Sequence, residues 1–293
     1  MVFVTGSTGM VGSYLVAIAR ERGITTFCPT RHEFDLGSPE NLPELLDSHE
    51  FTSFIHLAAE TDVDLCERNP SHAYKVNALG TGIIAQACSA RNIDLLYVST
   101  SNVFGGIQQY SYNELDAPLP LNYYGKSKLK GEEFILRSLA NNYIVRAGWM
   151  IGGGPELDKK FVGKMLKQIA DGNKSLSAIY DKYGSLTYAK HLAIFTLDLL
   201  RTKKYGTYHL CSSTPCSRFE IAKALVKQFG HGKVELRPCS SVNFPLSAPR
   251  PFSEAMESVC TSEVSSLGKY SWEELLEDYM TEWPRDLQSE RHL

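Results

Sequence analysis

Tyr124 and Lys128, in Tyr124-Gly125-Lys126-Ser127-Lys128, are spaced to share one face of a helix. A phenol with a pKa of about 10 exchanges protons poorly near neutrality, and an adjacent ammonium, by favouring the phenolate, brings it into a useful range. The same spacing is common on amphipathic helices with no chemistry, so the pair needs a companion. Gly6-x-x-Gly9-x-x-Gly12 supplies one. Met1 to Thr5 reads as a buried strand, and Met10 to Arg22 as a helix with Val11, Leu15, Val16 and Ile18 at helical spacing. Glycines in such a strand-to-helix turn permit the tight turn, let backbone N–H groups approach a pyrophosphate and let the helix pack on the strand. The alternative is a glycine-rich turn with no nucleotide. Together the two motifs point to a reductase.

The elements that must position these groups alternate through the first half. Strand-like and helix-like segments follow one another at Thr25 to Cys28, Asn41 to Asp47, Ser53 to Leu57, Ala73 to Ala90, Leu95 to Ser99, Leu129 to Leu139 and Tyr143 to Arg146. That order predicts an α/β fold with a doubly wound parallel sheet of Rossmann type. Pro118-Leu119-Pro120 precedes Asn122, which can cap the helix carrying Tyr124 and Lys128. Ligands of such sheets gather at the carboxyl ends of strands. His56-Leu57-Ala58-Ala59 ends one strand, with small alanines beside which a cofactor can pass, and Ser99-Thr100-Ser101-Asn102-Val103 ends the next with hydroxyls. Beyond Gly148 the order loosens: Gly152-Gly153-Gly154-Pro155 reads as a loop, Phe161 to Ala170 as a helix, and Cys239 to Pro251 as a Pro- and Ser-rich stretch. Residues 1–148 are expected to form a dinucleotide-binding domain. Residues 149–293 are expected to form mainly a smaller α/β substrate lobe, with some segments returning to the first domain.

A chain of 293 residues with a net charge of −3 and no long basic run makes nucleic acid and anionic membrane unsuitable partners. The strand starting at Met1 leaves no room for a signal peptide, and the apolar stretch Leu192 to Leu200 is short and interrupted by Asp198. A cytoplasmic protein is expected. The seven cysteines never form Cys-x-x-Cys, which argues against a disulfide framework and a structural zinc, and no metal site is expected. A homodimer is left open.

The sequence resembles the extended short-chain dehydrogenase/reductase superfamily, and within it the dTDP-4-dehydrorhamnose reductases. The likeness runs through Gly6-x-x-Gly9-x-x-Gly12, His56-Leu57-Ala58-Ala59, Val63-Asp64-Leu65-Cys66-Glu67, Val76-Asn77, Ser99-Thr100 with Val103-Phe104, Pro120-Leu121-Asn122 with the Tyr124 to Lys128 segment, and Arg146 with Trp149. Phe161-Val162, Met165-Leu166 and Ala248-Pro249-Arg250-Pro251 extend it into the second half. The resemblance implies reduction of the 4-keto group of a nucleotide-linked deoxy sugar by NADPH or NADH. It gives Thr100 a hydrogen bond to the substrate carbonyl, Tyr124 the proton, and Lys128 the nicotinamide ribose. It places Gly6, Thr8, Gly9, Met10, Val11, Gly12, Ala58, Ala59 and Asn77 at the cofactor, with Asp35 and Leu36 beside adenine.

Departures bear on the substrate. Where the related reductases show Ser-Thr-Asp-Tyr-Val-Phe, this chain has Ser101 and Asn102 in the middle places, and Asn-Ala-Ala-Ala-Tyr-Thr becomes His56-Leu57-Ala58-Ala59-Glu60-Thr61. Another nucleotide-linked keto sugar is therefore open, with Thr61 and Asn102 on its side of the site. Glu60 either touches a sugar hydroxyl or is a loop carboxylate. Trp149 either stacks on the sugar or fills the core. Arg250 either binds a diphosphate bidentately or ties a loop. After the second strand, Phe27-Cys28-Pro29-Thr30-Arg31 offers no acid for the ribose hydroxyls, and Arg31 suits a 2′-phosphate, although Glu33 can compensate; NADP is favoured over NAD. Two other functions fit the same resemblance: a dinucleotide-binding regulatory protein like the methionine adenosyltransferase β subunit, and a nucleotide-sugar epimerase or dehydratase. Dehydratases add an acidic pair beside the threonine, which Ser101-Asn102 lacks.

Overall fold

The computed structural model describes residues 1–106, 111–138, 141–230, 232–244 and 246–284. In chain order the first half runs β1 Val2–Thr5, α1 Met10–Glu21, β2 Thr26–Phe27, α2 Leu42–Asp47, β3 Ser53–His56, α3 Val63–Arg68, α4 Pro70–Tyr74, α5 Gly80–Ala90, β4 Asp94–Thr100, α6 Tyr123–Ser138 and β5 Asn142–Ala147. The second half runs β6 Trp149–Ile151, α7 Gly154–Leu157, α8 Phe161–Ala170, β7 Ser175–Ile179, β8 Tyr183–Gly184, β9 Leu186–Tyr188, α9 Ala189–Thr202, β10 Gly206–Leu210, β11 Cys216–Ser217, α10 Arg218–Phe229, β12 Glu235–Cys239, β13 Ser253–Glu254 and α11 Trp272–Met280.

Six strands form one parallel sheet in the order β10-β5-β4-β3-β1-β2. From β1 the chain moves one way to β2 and then the other way to β3, so the topological switch falls between β1 and β3, whose register pairs Thr5 with His56. Alternation along the strands divides the core into two faces. Phe3, Phe54, Leu95, Tyr97 and Ile144 bury against α2, α5 and α6 through Leu46, Ile84 and Ile135. Val4, Ile55, Leu96 and Val145 face the other way, against Leu15 of α1 and Leu192, Phe195 and Leu199 of α9. A third cluster, built from Val162, Leu166, Leu176, Leu225, Leu276 and Tyr279, forms the core of the smaller lobe.

The expected parallel sheet is therefore present, with local differences. The segment read as starting at Ala73 starts at Pro70, and a π-helical turn at Lys75–Leu79 joins α4 to α5. The Gly152 to Pro155 loop is shorter than expected, since α7 begins at Gly154 with proline in its first turn. Leu139, at the expected end of its helix, and the expected lobe's tail 285–293 lie outside the described residues. No helix among the described residues is long and apolar enough to cross a membrane, and no cluster of metal-ligating side chains occurs among them.

Candidate active site

The glycine turn is shaped by close approaches. Gly6 holds a φ of +71°, and a Cβ there would lie 2.9 Å from the Ala58 nitrogen. A Cβ on Gly12 would lie 2.2 Å from the Gly6 carbonyl oxygen, so α1 leaves the turn at a distance only glycine allows. Gly9 differs. It is the extended N-cap of α1, a Cβ there would meet only the Gly6 oxygen at 3.3 Å, and no side chain caps the helix or places an acid in its first turn. The start of α1 thus keeps its N–H donors and positive dipole end for an anion.

Across the switch point, a directed chain of hydrogen bonds stiffens the strand ends. The Ala58 N–H donates to Thr5 Oγ1 at 3.3 Å, Thr5 Oγ1 pairs with His56 Nδ1 at 2.8 Å, His56 Nε2 with Thr81 Oγ1 at 3.1 Å, and Thr81 Oγ1 donates to the Asn77 carbonyl at 2.8 Å. His56 is fully enclosed, and burial, with help from the Lys128 charge, pushes it down to about 3, so it stays a neutral link. Asn77 belongs to this scaffold. Its amide donates to the Glu60 carbonyl and to Ser127 Oγ, both at 3.0 Å, and accepts from the Glu60 N–H at 2.8 Å. Only 1% exposed, it fixes the loop after β3 onto α6. Leu36 likewise is buried in the sheet core against Gly80, while Asp35 accepts from the Gly37 N–H at 2.9 Å.

The helix carrying Tyr124 and Lys128 starts where the sequence placed its cap: Asn122 Oδ1 accepts from the Gly125 N–H at 2.9 Å. A Cβ on Gly125 would lie 2.0 Å from the Asn102 carbonyl oxygen, so glycine lets α6 abut the turn that follows β4. That contact brings Tyr124 and Thr100 side chains within hydrogen-bonding reach. Burial raises the Tyr124 phenol above its ordinary range, and the Thr100 contact opposes this only in part. Tyr124 is therefore a protonated phenol at neutrality, the form that a proton donor needs. Lys128, one turn on, donates to the Val98 carbonyl at 2.8 Å and lies 4.0 Å over the Tyr97 ring. Burial pulls its ammonium down to about 7, with Glu132 opposing. Glu132 in turn holds Arg146 of β5 bidentately at 3.1 and 2.7 Å, fixing α6 against the sheet.

Around Ser101 and Asn102, one residue outside every sequence motif organises the others. Glu254 of β13 accepts from Ser101 Oγ at 2.6 Å, Asn102 Nδ2 at 2.7 Å and Trp149 Nε1 at 2.7 Å. It brings a carboxylate to the place where Ser101 and Asn102 lack one. Asn102 also accepts from Asn122 Nδ2 at 3.1 Å, so its amide is engaged at both ends. Trp149 is half-buried, hydrogen-bonded by its indole and stacked under Arg218 at 4.6 Å. Arg250 ties loops together, donating to Asp64 at 2.9 Å and to the Ala248 carbonyl at 3.0 Å. Glu60 accepts from the Asp62 N–H at 2.9 Å and lies 3.4 Å from His72 Nε2, and Thr61 beside it is exposed. Arg31 is exposed on the turn after β2, and Glu33 is folded back on Thr30, accepting from its N–H and hydroxyl, both at 2.8 Å.

Two hydroxyls and a buried lysine at the end of β4, two strands from a helix start kept clear of side chains, make this a dinucleotide-dependent oxidoreductase of the short-chain dehydrogenase/reductase class. The chain belongs to the family described as the RmlD substrate binding domain, which it matches over residues 1–284. It is 32% identical over 279 residues to a dTDP-4-dehydrorhamnose reductase of Mycolicibacterium smegmatis, covering 94% of this chain and 84% of that one. Among solved structures it is similar to a dTDP-4-dehydrorhamnose reductase of Yersinia enterocolitica, with a TM-score of 0.92, 43% identity and coverage of 96% and 98% of the two chains. It is also similar to a dTDP-4-dehydrorhamnose reductase of Bacillus anthracis solved in complex with NADP, with a TM-score of 0.89, 30% identity and the same coverage.

Proposed function

We propose that this chain reduces the 4-keto group of a dTDP-linked deoxy sugar, with Tyr124 as proton donor and NADP as the preferred dinucleotide. The observation that carries the reading is the buried pair of Thr100 and Tyr124 beside Lys128 at the carboxyl end of β4. A reduced nicotinamide dinucleotide, when bound, supplies the hydride for the carbonyl carbon. Negative charge then grows on the carbonyl oxygen, and the Thr100 and Tyr124 hydroxyls stabilise that oxygen more in the transition state than in the ground state. A protonated phenol is the form that completes the alcohol. Lys128 holds the nicotinamide ribose, while the start of α1 and the Gly6 to Gly12 turn hold the diphosphate. Thr8, Met10, Val11, Ala58 and Ala59 line that approach. The NADP preference rests on Arg31 being exposed at the end of β2 while Glu33 is occupied by its own turn.

The test is to incubate the purified protein with NADPH or NADH and a panel of nucleotide-linked 4-keto sugars, dTDP-4-dehydrorhamnose first, following loss of nicotinamide absorbance. Turnover with NADPH exceeding NADH is expected. Failure to consume either nucleotide with any keto sugar would overturn the reading in favour of a regulatory protein.

A further inference from the structure

The smaller lobe holds an arginine whose surroundings prepare it for a ligand. Arg218 is the first residue of α10, between the Ser217 and Glu220 of its capping box. Its guanidinium lies 4.6 Å over the Trp149 ring and 5.1 Å over the Phe161 ring. Aromatic faces on a guanidinium fix its plane and leave its N–H edge free to donate. That edge makes no hydrogen bond and no ion pair to any described residue. Half-buried and with five donors unengaged, it is the opposite of Arg250, whose donors are committed to Asp64 and Ala248.

The platform beneath Arg218 is itself fixed. Trp149 donates its indole N–H to Glu254, and the bare Cα of Gly184 admits the ring, since a Cβ there would lie 2.4 Å from it. Through Glu254 the platform connects to Ser101 and Asn102, the residues directly after Thr100, so Arg218 lies on the substrate side of the reacting groups. The charges around it are of mixed sign. Glu254 attracts it and Arg250 repels it. Glu254 already accepts from three donors and forms no ion pair with Arg218, so the positive edge is left for something else.

Resting on the dTDP-sugar reading above, we infer that Arg218 is the bidentate donor for the diphosphate of the nucleotide-sugar substrate, with Trp149 and Phe161 as its rigid mount and Arg250 as a second cation nearby. A planar fork matches two phosphate oxygens, and a mount that already orders the side chain lowers the entropy lost on binding. Arg218 is thus a substrate-affinity residue that never touches the carbonyl. It raises binding of the substrate and of its transition state alike.

Calorimetric titration of dTDP, UDP and thymidine into wild type, Arg218→Gln and Arg218→Lys tests this. The glutamine variant is expected to lose about 10- to 100-fold in affinity for both diphosphates and nothing for thymidine, with lysine recovering only part of the loss. For the keto sugar, KM should rise by the same factor with kcat within about threefold and NADPH affinity unchanged, the signature of lost uniform binding. Equal diphosphate affinity in wild type and Arg218→Gln would overturn the inference. So would a parallel loss for thymidine, which would mean a disturbed lobe, or a wild type that binds neither diphosphate. If wild type binds dTDP through Arg218 yet reduces no keto sugar, the subsite stands and the reductase reading falls.

Discussion

At the scale of single residues the site is a balance between burial and contact. Burial keeps the Tyr124 phenol protonated while Thr100 holds it in place. Tyr124→Phe keeps the ring and its packing against Cys66 and Ala73, so stability and cofactor affinity should hold while kcat falls by roughly 10²–10⁴-fold. Wild-type turnover in that variant would remove Tyr124 from the chemistry. On the proposed reading Lys128 makes dinucleotide binding depend on pH. Held at about 7, it is charged below that value and neutral above it. An anionic dinucleotide prefers the charged form, so affinity should weaken by up to about tenfold per unit as pH rises from about 7 to about 9. Lys128→Met should flatten that profile; a wild-type profile already flat would refute the assignment. The same lowered pKa has the opposite sign for the protein alone. Below about 7 the folded and unfolded chains both carry the Lys128 proton and its burial penalty is fully present. That penalty is relieved as pH rises and the folded state releases the proton first. On the proposed reading Arg31, exposed after β2, discriminates between cofactors: Arg31→Ala should weaken NADPH and spare NADH, as measured by fluorescence titration, and equal losses would count against it.

Elements bring these residues together, and here legibility varied with length. α1 and α8 could be read within a residue from helical periodicity, and β1, β3, β4 and β5 from short apolar runs, because each buries enough side chains to leave a pattern. Asn122 marked the start of α6 by its capping chemistry. Glu254 and Arg218 left no such signal. Glu254 sits on β13 and Arg218 directly follows β11, strands of two residues each that are too short for alternation, and only the closure of the smaller lobe brings Glu254 beside Ser101. The resemblance put Asn77 at the cofactor, but its link between Glu60 and Ser127 was not legible, because the π-helical turn that aims it there has no sequence signature. One contact sensitive to mutation at the site is Gly125 against the Asn102 carbonyl. Gly125→Ala, with its new Cβ at 2.0 Å, must move α6 away from the end of β4. A stability loss of about 1–3 kcal/mol is expected from overpacking, with a fall in kcat larger than that in cofactor affinity, since Tyr124 moves relative to Thr100. Calorimetric melting and steady-state kinetics would check both, and a variant of wild-type stability and kcat would show that the abutment is soft.

The whole molecule is threaded so that its two lobes depend on each other. After building part of the smaller lobe the chain returns to lay α9 over α1 and to add β10 beside β5, with His209 in register with Arg146. One face of the main sheet is therefore completed by Leu192, Phe195, Leu197, Leu199, Tyr208 and Leu210, all beyond residue 188. A fragment ending at residue 148 would keep the glycine turn, Tyr124 and Lys128, yet leave Val4, Ile55, Leu96 and Val145 facing water and β5 with an open edge. An uncovered apolar face beside an unpaired strand favours association over folding. Residues 1–148 alone should therefore show no cooperative thermal transition by circular dichroism and no dinucleotide binding, whereas the full chain should melt as one unit. A soluble fragment with a sharp transition that binds NADPH would show that the first half closes its own core, and that α9 and β10 are additions to a finished domain.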